Sequence, residues 1–132
     1  MRFILLAVIF LCGLLNLFMG LSFLIQPTGM IETFGLVPQG LVGLAVMRAD
    51  FFSFFAVAAF CLVWGAWRRN GDLLLVPALL FGLAFTGRLV SVFVDGTVPG
   101  FWVGMSYEAF HVALALFARA MLPHHTIHEI VD

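Results

Sequence analysis

The chain has 132 residues, 64% of them hydrophobic and 10% charged, with no lysine and a formal net charge of −1, and its mean hydropathy is +1.16. Soluble domains carry roughly 25% charged residues, so a water-soluble globule is excluded, and the lack of a basic surplus argues against a nucleic-acid partner. At about 20 apolar residues per crossing, the length accommodates one domain of four membrane helices with short connections.

The first expected span covers residues 3–26. Phe3 to Ile25 hold no charge and follow a lone Arg2, a pattern shared with secretory signals, but the apolar run is too long for one and no A-x-A cleavage site follows. Cys12 is preceded by Leu11, where lipoprotein cleavage requires a small residue. With Cys61 in the second span and neither CxxC nor zinc-type spacing, both cysteines read as small packing residues. Asn16, mid-span, is expected to hydrogen-bond a neighbouring helix.

Pro27-Thr-Gly29 ends this span, and Met30 to Leu36 reads as a short interfacial helix, a lid or spacer, stopped by Gly35 and Pro38. The second span covers 41–67 and carries Arg48 and Asp50 in its first third. Its series Ala45, Ala49, Ser53 and Ala56 repeats at three and four residues, which predicts a face for close helix contact. Asn70-Gly71 marks a tight turn in the polar connection Arg68 to Asp72. The third span covers 73–94, with Pro77 near its start, where a missing backbone donor matters least. Asp95 to Gly100 returns the chain into the fourth span, 101–122, which Pro123 stops.

Placing the amino terminus in the cytoplasm puts Arg2, Arg68, Arg69 and Arg119 on one side, and the two opposite connections hold no arginine. Both termini are therefore expected to be cytoplasmic, with residues 123–132 as a cytoplasmic tail. Trp64 and Trp67 at the inner end and Trp102 at the outer end fit interfacial aromatic belts.

Charges inside the spans carry the functional expectation, because an arginine at membrane depth costs about 2.5–3.5 kcal/mol on insertion scales and so faces a bundle interior or a wet cavity. At about 1.5 Å of rise per residue, Arg48, Arg88 and Glu108 each fall roughly 9–11 Å below the outer boundary. Asp50 lies a little deeper, and His111 follows Glu108 by one turn. Arg88 and Glu108 should meet across the 95–100 hairpin, with the planar guanidinium taking the carboxylate in two parallel bonds. Arg48 and Asp50 stand about 200° apart around their helix and cannot both point at one spot. The layer is either a set of mutual salt bridges that fixes helix register, or a polar pocket lined by Phe51, Phe55, Phe85, Tyr107 and Phe110, the usual form of a small-molecule site.

Other signals are weaker. Glu108-Ala-Phe-His111 has the E-x-x-H spacing of di-iron bundles, which also need a second such pair and further carboxylates; the sequence has neither, so no metal and no cofactor is expected. In a helical tail His124 would align with His128, and His125 with Glu129, as a peripheral metal site or simply a solvated segment. Gly100-Phe-Trp-Val-Gly104 matches the small-x-x-x-small pattern for close helix approach, within the chain or between protomers. Neither a glycine-rich phosphate loop nor a nucleophile elbow nor a thiol pair is present.

In Arg48-Ala-Asp50-Phe51, Gly87-Arg88-Leu-Val-Ser91, Asp95-Gly96 and Glu108, the chain resembles a bacterial domain-of-unknown-function family of four-helix membrane proteins, in the broad DoxX-like neighbourhood. The likeness covers roughly residues 1–120 in layout. It implies an integral membrane bundle with an arginine–carboxylate cluster and brings no established activity. Phe52 and Ser53 stand where that family commonly has glycines, which implies a tighter or bulkier pocket here.

Together these readings lead to the expectation of a bacterial inner-membrane protein that binds a lipid-like or quinone-like molecule, or serves as an accessory subunit or homo-oligomer in a larger membrane complex. Arg48, Asp50, Arg88, Tyr107, Glu108 and His111 form the expected ligand site, with the arginines holding a polar or carboxylate head. The alternatives are an isomerase-type enzyme using Glu108 or Asp50 as acid or base with His111 as relay, which needs a carboxyl with a raised pKa that two arginines would oppose, and a proton- or anion-coupled transporter that would have to dimerise.

Overall fold

The structure, a computed structural model, describes residues 2–124. The expected tail pairings of His124 with His128 and of His125 with Glu129 thus lie outside the described residues. Five α-helices follow one another: α1 (Arg2–Ile25), α2 (Pro27–Thr33), α3 (Gly40–Arg68), α4 (Leu75–Val94) and α5 (Phe101–Met121), with a 3-10 turn over Asp72–Leu74 leading into α4. Four of them, counting that turn with α4, are long and apolar enough to cross a membrane. The protein is an all-α, multi-pass membrane bundle of four spans with short connections. Only 22–28% of the most apolar window of each span is buried inside the molecule. The outward surface presents Ile4, Phe18, Phe60, Leu83 and Phe93, which hydrocarbon accepts and water would not.

With lipid outside, helix association rests on close packing. The buried residues of α1 are Ile9, Gly13, Asn16, Gly20 and Phe23, alternating steps of four and three that make one seam along the helix. This seam meets α3, the most extensive pairing in the bundle. A Cβ on Gly13 would lie 2.6 Å from Val63 Cγ2 and 3.0 Å from the Val63 backbone nitrogen, and one on Gly20 would lie 3.3 Å from Phe55 Cβ. The two glycines set the spacing of α1 and α3. The contact face of α3 is built from Phe55, Ala58, Ala59, Leu62, Gly65 and Ala66. The expected contact series is corrected accordingly: Ala45, Ala49 and Ser53 are exposed, and Ala56 alone of the four is partly buried. A single small-residue spacing does not say which side of a helix has a partner.

Neighbours in sequence are neighbours in space, with α4 packed most closely on α5 and the ring completed by smaller contacts of α3 with α4 and α1 with α5. At the end holding the start of α1, the core is Ile9, Leu62, Ala66, Leu74, Ala78, Ala115, Ala118 and Leu122, and its four alanines let helices converge. At the other end, which carries α2, it is Phe23, Ile31, Phe55, Ala58 and Phe81, whose rings hold helices apart.

The connections obey local rules. The short helix begins at Pro27 rather than Met30, with proline at a first-turn position where its missing N–H is no loss. It ends at Gly35, φ +70°, where Gly35 N–H donates to Glu32 O and Leu36 N–H to Ile31 O in the manner of a left-handed cap. Ile31 is fully buried, which anchors α2 across the bundle end. In the α3–α4 turn, Asn70 Oδ1 accepts from Asp72 N–H at 2.9 Å, the Asx turn that an Asn-Gly pair favours. Gly71 N–H donates to Pro123 O at 3.0 Å, tying that turn to the end of α5.

Gly13→Val should push α1 off α3 and lower stability by about 1–3 kcal/mol, whereas Gly87→Ala, whose new methyl meets no atom within 4 Å, should leave it unchanged. Thermal unfolding of both variants in lipid nanodiscs checks this, and equal stability of the two would contradict the seam.

Candidate functional site

The inward face of α5 reads Met105, Glu108, His111, Ala115 and Ala118, again steps of three and four, so Glu108 and His111 are carried into the bundle by the same periodicity that buries the alanines. On α4 the corresponding line is Pro77, Phe81, Ala84 and Arg88, of which Pro77 and Phe81 are buried. Arg88 Nε donates to Glu108 Oε1 at 2.7 Å. The pairing expected across the hairpin is present, but through one nitrogen and one oxygen rather than as two parallel bonds.

Gly104 explains that geometry. It precedes Glu108 by one turn on the same face of α5, and a Cβ there would come within 3.1 Å of Arg88 Cζ and 3.2 Å of Nη1. The guanidinium therefore lies against the bare backbone of α5 and meets the carboxylate through Nε. Of the small-x-x-x-small signal, Gly104 makes room for this side chain, while a Cβ on Gly100 would meet nothing within 4 Å. Glu108 is 6% exposed, and its second oxygen, Oε2, is buried without a hydrogen-bond partner among the described residues. Arg88 is 38% exposed along its side chain.

Beside the pair lies a cavity of about 750 Å³ at the α2 end of the bundle, within the range of about 300–1,000 Å³ typical of small-molecule sites. Every helix contributes to its wall: Met19 from α1, Thr33 and Phe34 from α2 and its cap, Asp50, Phe51, Phe54 and Phe55 from α3, Phe81, Ala84 and Arg88 from α4, and Gly100, Val103, Gly104, Tyr107 and Glu108 from the start of α5. The rings form a continuous surface. Phe23 stacks behind Phe51 with centroids 4.6 Å apart, Phe54 meets Phe81 edge-on at 5.2 Å, and Phe81 meets Tyr107 at 5.8 Å.

Beneath this floor is a second polar group, sealed. Asn16 Nδ2 donates to Cys12 O at 2.8 Å and sits 3.0 Å from His111 Nε2, while Tyr107 O–H donates to Asn16 Oδ1 at 3.2 Å. His111 Nδ1 lies 2.9 Å from Tyr107 O. Partner chemistry fixes every proton. A carbonyl accepts only, so the amide nitrogen faces Cys12 and Nδ1 of the imidazole carries its hydrogen; Nε2 then accepts the second amide hydrogen. The ring is neutral and spent at both nitrogens.

The six expected site residues thus divide. Arg88, Glu108, Tyr107 and Asp50 line the cavity. His111, 2% exposed, lies behind Tyr107 and Phe81 and does not reach the wall, because its position on α5 aims it at Asn16. Arg48 is exposed and outside the wall, the consequence of its roughly 200° offset from Asp50. It joins no ion pair among the described residues, and the expected four-charge layer reduces to the Arg88–Glu108 pair with Asp50 nearby. Of the expected aromatic wall, Phe51, Phe55 and Tyr107 take part, Phe85 lines a shallow apolar groove between α4 and α5, and Phe110 faces outward. Thr33, Phe34, Phe54, Phe81 and Val103 were not anticipated; Phe81 alone had a usable signal, standing one helical step of seven before Arg88.

Fold and site together define a four-span membrane protein with an aromatic cavity closed on one side by a partly exposed arginine paired to a buried glutamate. Compared with known proteins, the chain matches no family model, no curated protein and no solved structure.

Two stability measurements test these contacts. Arg88→Met strands the Glu108 carboxylate and should cost about 2–3 kcal/mol, less than the 3–5 kcal/mol of a fully buried pair because Arg88 is partly exposed; adding Glu108→Gln should recover at least half, read as nanodisc melting temperatures. Asn16→Leu leaves Tyr107 O–H and His111 Nε2 unpaired and should cost more than Tyr107→Phe, about 2–4 against 1 kcal/mol; the reverse order would contradict the network.

Proposed function

We propose that the protein binds a membrane-soluble amphiphile, lipid-like or quinone-like, with its apolar body against the ring wall and its polar head at Arg88 and Glu108. The observation that carries this reading is the unpartnered Glu108 Oε2 beside a cavity otherwise lined by phenylalanines. A buried acceptor without a donor costs about 1–3 kcal/mol, more when charged, and a purely structural staple would have used both oxygens. Binding is favoured over proton transfer, since an acid–base enzyme needs a group free to take and release a proton beside its substrate, and His111 has no free nitrogen.

The same proposal places the protein in a bacterial inner membrane, within the DoxX-like neighbourhood, with both termini cytoplasmic. The orientation is supported by the gathering of Arg2, Arg68, Arg69 and Arg119 at the end opposite the cavity, the side on which positive charge is retained; the family and membrane rest on the resemblance alone. The cavity then opens in the outer-leaflet half.

Native mass spectrometry of the protein released from nanodiscs made of native membrane tests the binding reading. Wild type should carry one amphiphile per chain and Ala84→Trp, which fills the cavity, none; identical spectra from two folded proteins would defeat it.

A further inference from the structure

The charge on the cavity wall says which head the site takes, an inference that rests on the binding reading above. With Arg48 outside, no pair of arginines is available to clamp an anion. The wall holds two carboxyl groups, Glu108 and Asp50, against one guanidinium, and Arg88 is already committed to Glu108 Oε1 at 2.7 Å. Gly100 brings the start of α5 to the wall, but a helix N-terminus contributes only about half a positive charge, so the balance stays negative.

Burial decides which of the unused polar groups calls for a ligand. The remaining N–H groups of Arg88 belong to a side chain 38% exposed and do not carry the cost of a sealed, unpaired group. Glu108 Oε2 has neither accessible surface nor a partner among the described residues; because the Glu108 side chain lines the wall, a turn of that side chain brings the oxygen to a donor in the cavity. Phe34, Phe51, Phe54 and Tyr107 add ring faces, whose negative quadrupoles attract a cation within about 6 Å and do so most strongly where water is excluded.

We propose that the head is a protonated amine, donating N–H to Glu108 Oε2, held near Asp50 and the ring faces, on an apolar tail that occupies the rest of the cavity. The site is thus one for cationic amphiphiles rather than for phosphate or carboxylate heads. Such a cation converts the Arg88–Glu108 pair into a chain of guanidinium, carboxylate and ammonium, in which both carboxylate oxygens are used.

Dodecylamine, dodecanol and dodecanoate, which differ only in the head, are titrated by equilibrium dialysis against the whole protein in phosphatidylcholine nanodiscs. Ala84→Trp nanodiscs serve as the blank for partition into lipid. Dodecylamine should bind one per chain, at least tenfold more tightly than dodecanoate, and Glu108→Gln should cut that preference to below threefold. Should that variant fold poorly, Asp50→Asn on the exposed side of the wall should still reduce the preference at least twofold. Dodecanoate or dodecanol binding as tightly as the amine overturns the amine assignment while leaving amphiphile binding intact. No binding above the blank by any of the three overturns both.

Discussion

The contact between Arg88 and Glu108 is the constraint on which the rest of this molecule turns. Neither charge belongs in hydrocarbon alone, where removing an ion from water costs several kcal/mol even after relaxation. Each is tolerable because the other is 2.7 Å away and because a short hairpin leaves α4 and α5 no choice but to pack side by side. Gly104 makes the approach possible by leaving room for the guanidinium against the backbone of α5. A larger residue there would force the arginine to stand off from α5. The glycine thus determines how the pair is made as well as whether it is made.

Two polar systems share the inner face of α5 one turn apart, and their difference is instructive. Asn16, Tyr107 and His111 pair every side-chain N–H and O–H and both imidazole nitrogens, and a network so closed in a medium of low dielectric fixes helix register and rigidity. Arg88 and Glu108 leave an acceptor buried and donors unengaged. The first system joins α1 to α5, across the diagonal-free ring where contact is otherwise sparse, and so holds firm the floor on which the second stands. The two systems occupy neighbouring residues on one face of α5 and differ in whether their hydrogen bonds close.

Most of the fold is legible in the sequence because lipid imposes a strong rule: four charge-poor stretches of adequate length, separated by Gly, Pro, Asn and Asp, admit few other architectures. The meeting of Arg88 and Glu108 follows from the hairpin, and the interhelical bond of Asn16 from its position. What the sequence withholds is azimuth. Arg48 and His111 lie at a suitable depth, yet depth along a helix says nothing about which way it is turned, and with apolar residues on all sides there is no polar face to reveal it. For the same reason Ala45, Ala49 and Ser53 resemble a contact seam, while the true seam at Gly13 and Gly20 on α1 passes unnoticed among leucines. Sixteen phenylalanines cannot be sorted into wall and lipid surface by spacing alone; the burial of Phe81 and the outward turn of Phe110 are set by tertiary contact.

The depth of the pair also limits what can reach it. Arg88 and Glu108 lie roughly 9–11 Å inside the end of their helices, below the level at which a lipid head ordinarily rests. A head that moves there gives up its water, and the penalty grows with its size and with the number of polar atoms left unpaired. A bulky phosphodiester would lose several hydration contacts for a single partly committed guanidinium. A compact head with one or two donors would lose less, and in the proposed site Glu108 Oε2 has already given up its water on folding. The aromatic wall acts in the same direction, since rings supply area for an apolar body and attraction for a positive end but no hydrogen-bond donors for an anion. On the binding reading proposed above, a preference for small heads follows from where α4 and α5 place their charges, before any particular contact with a ligand is considered.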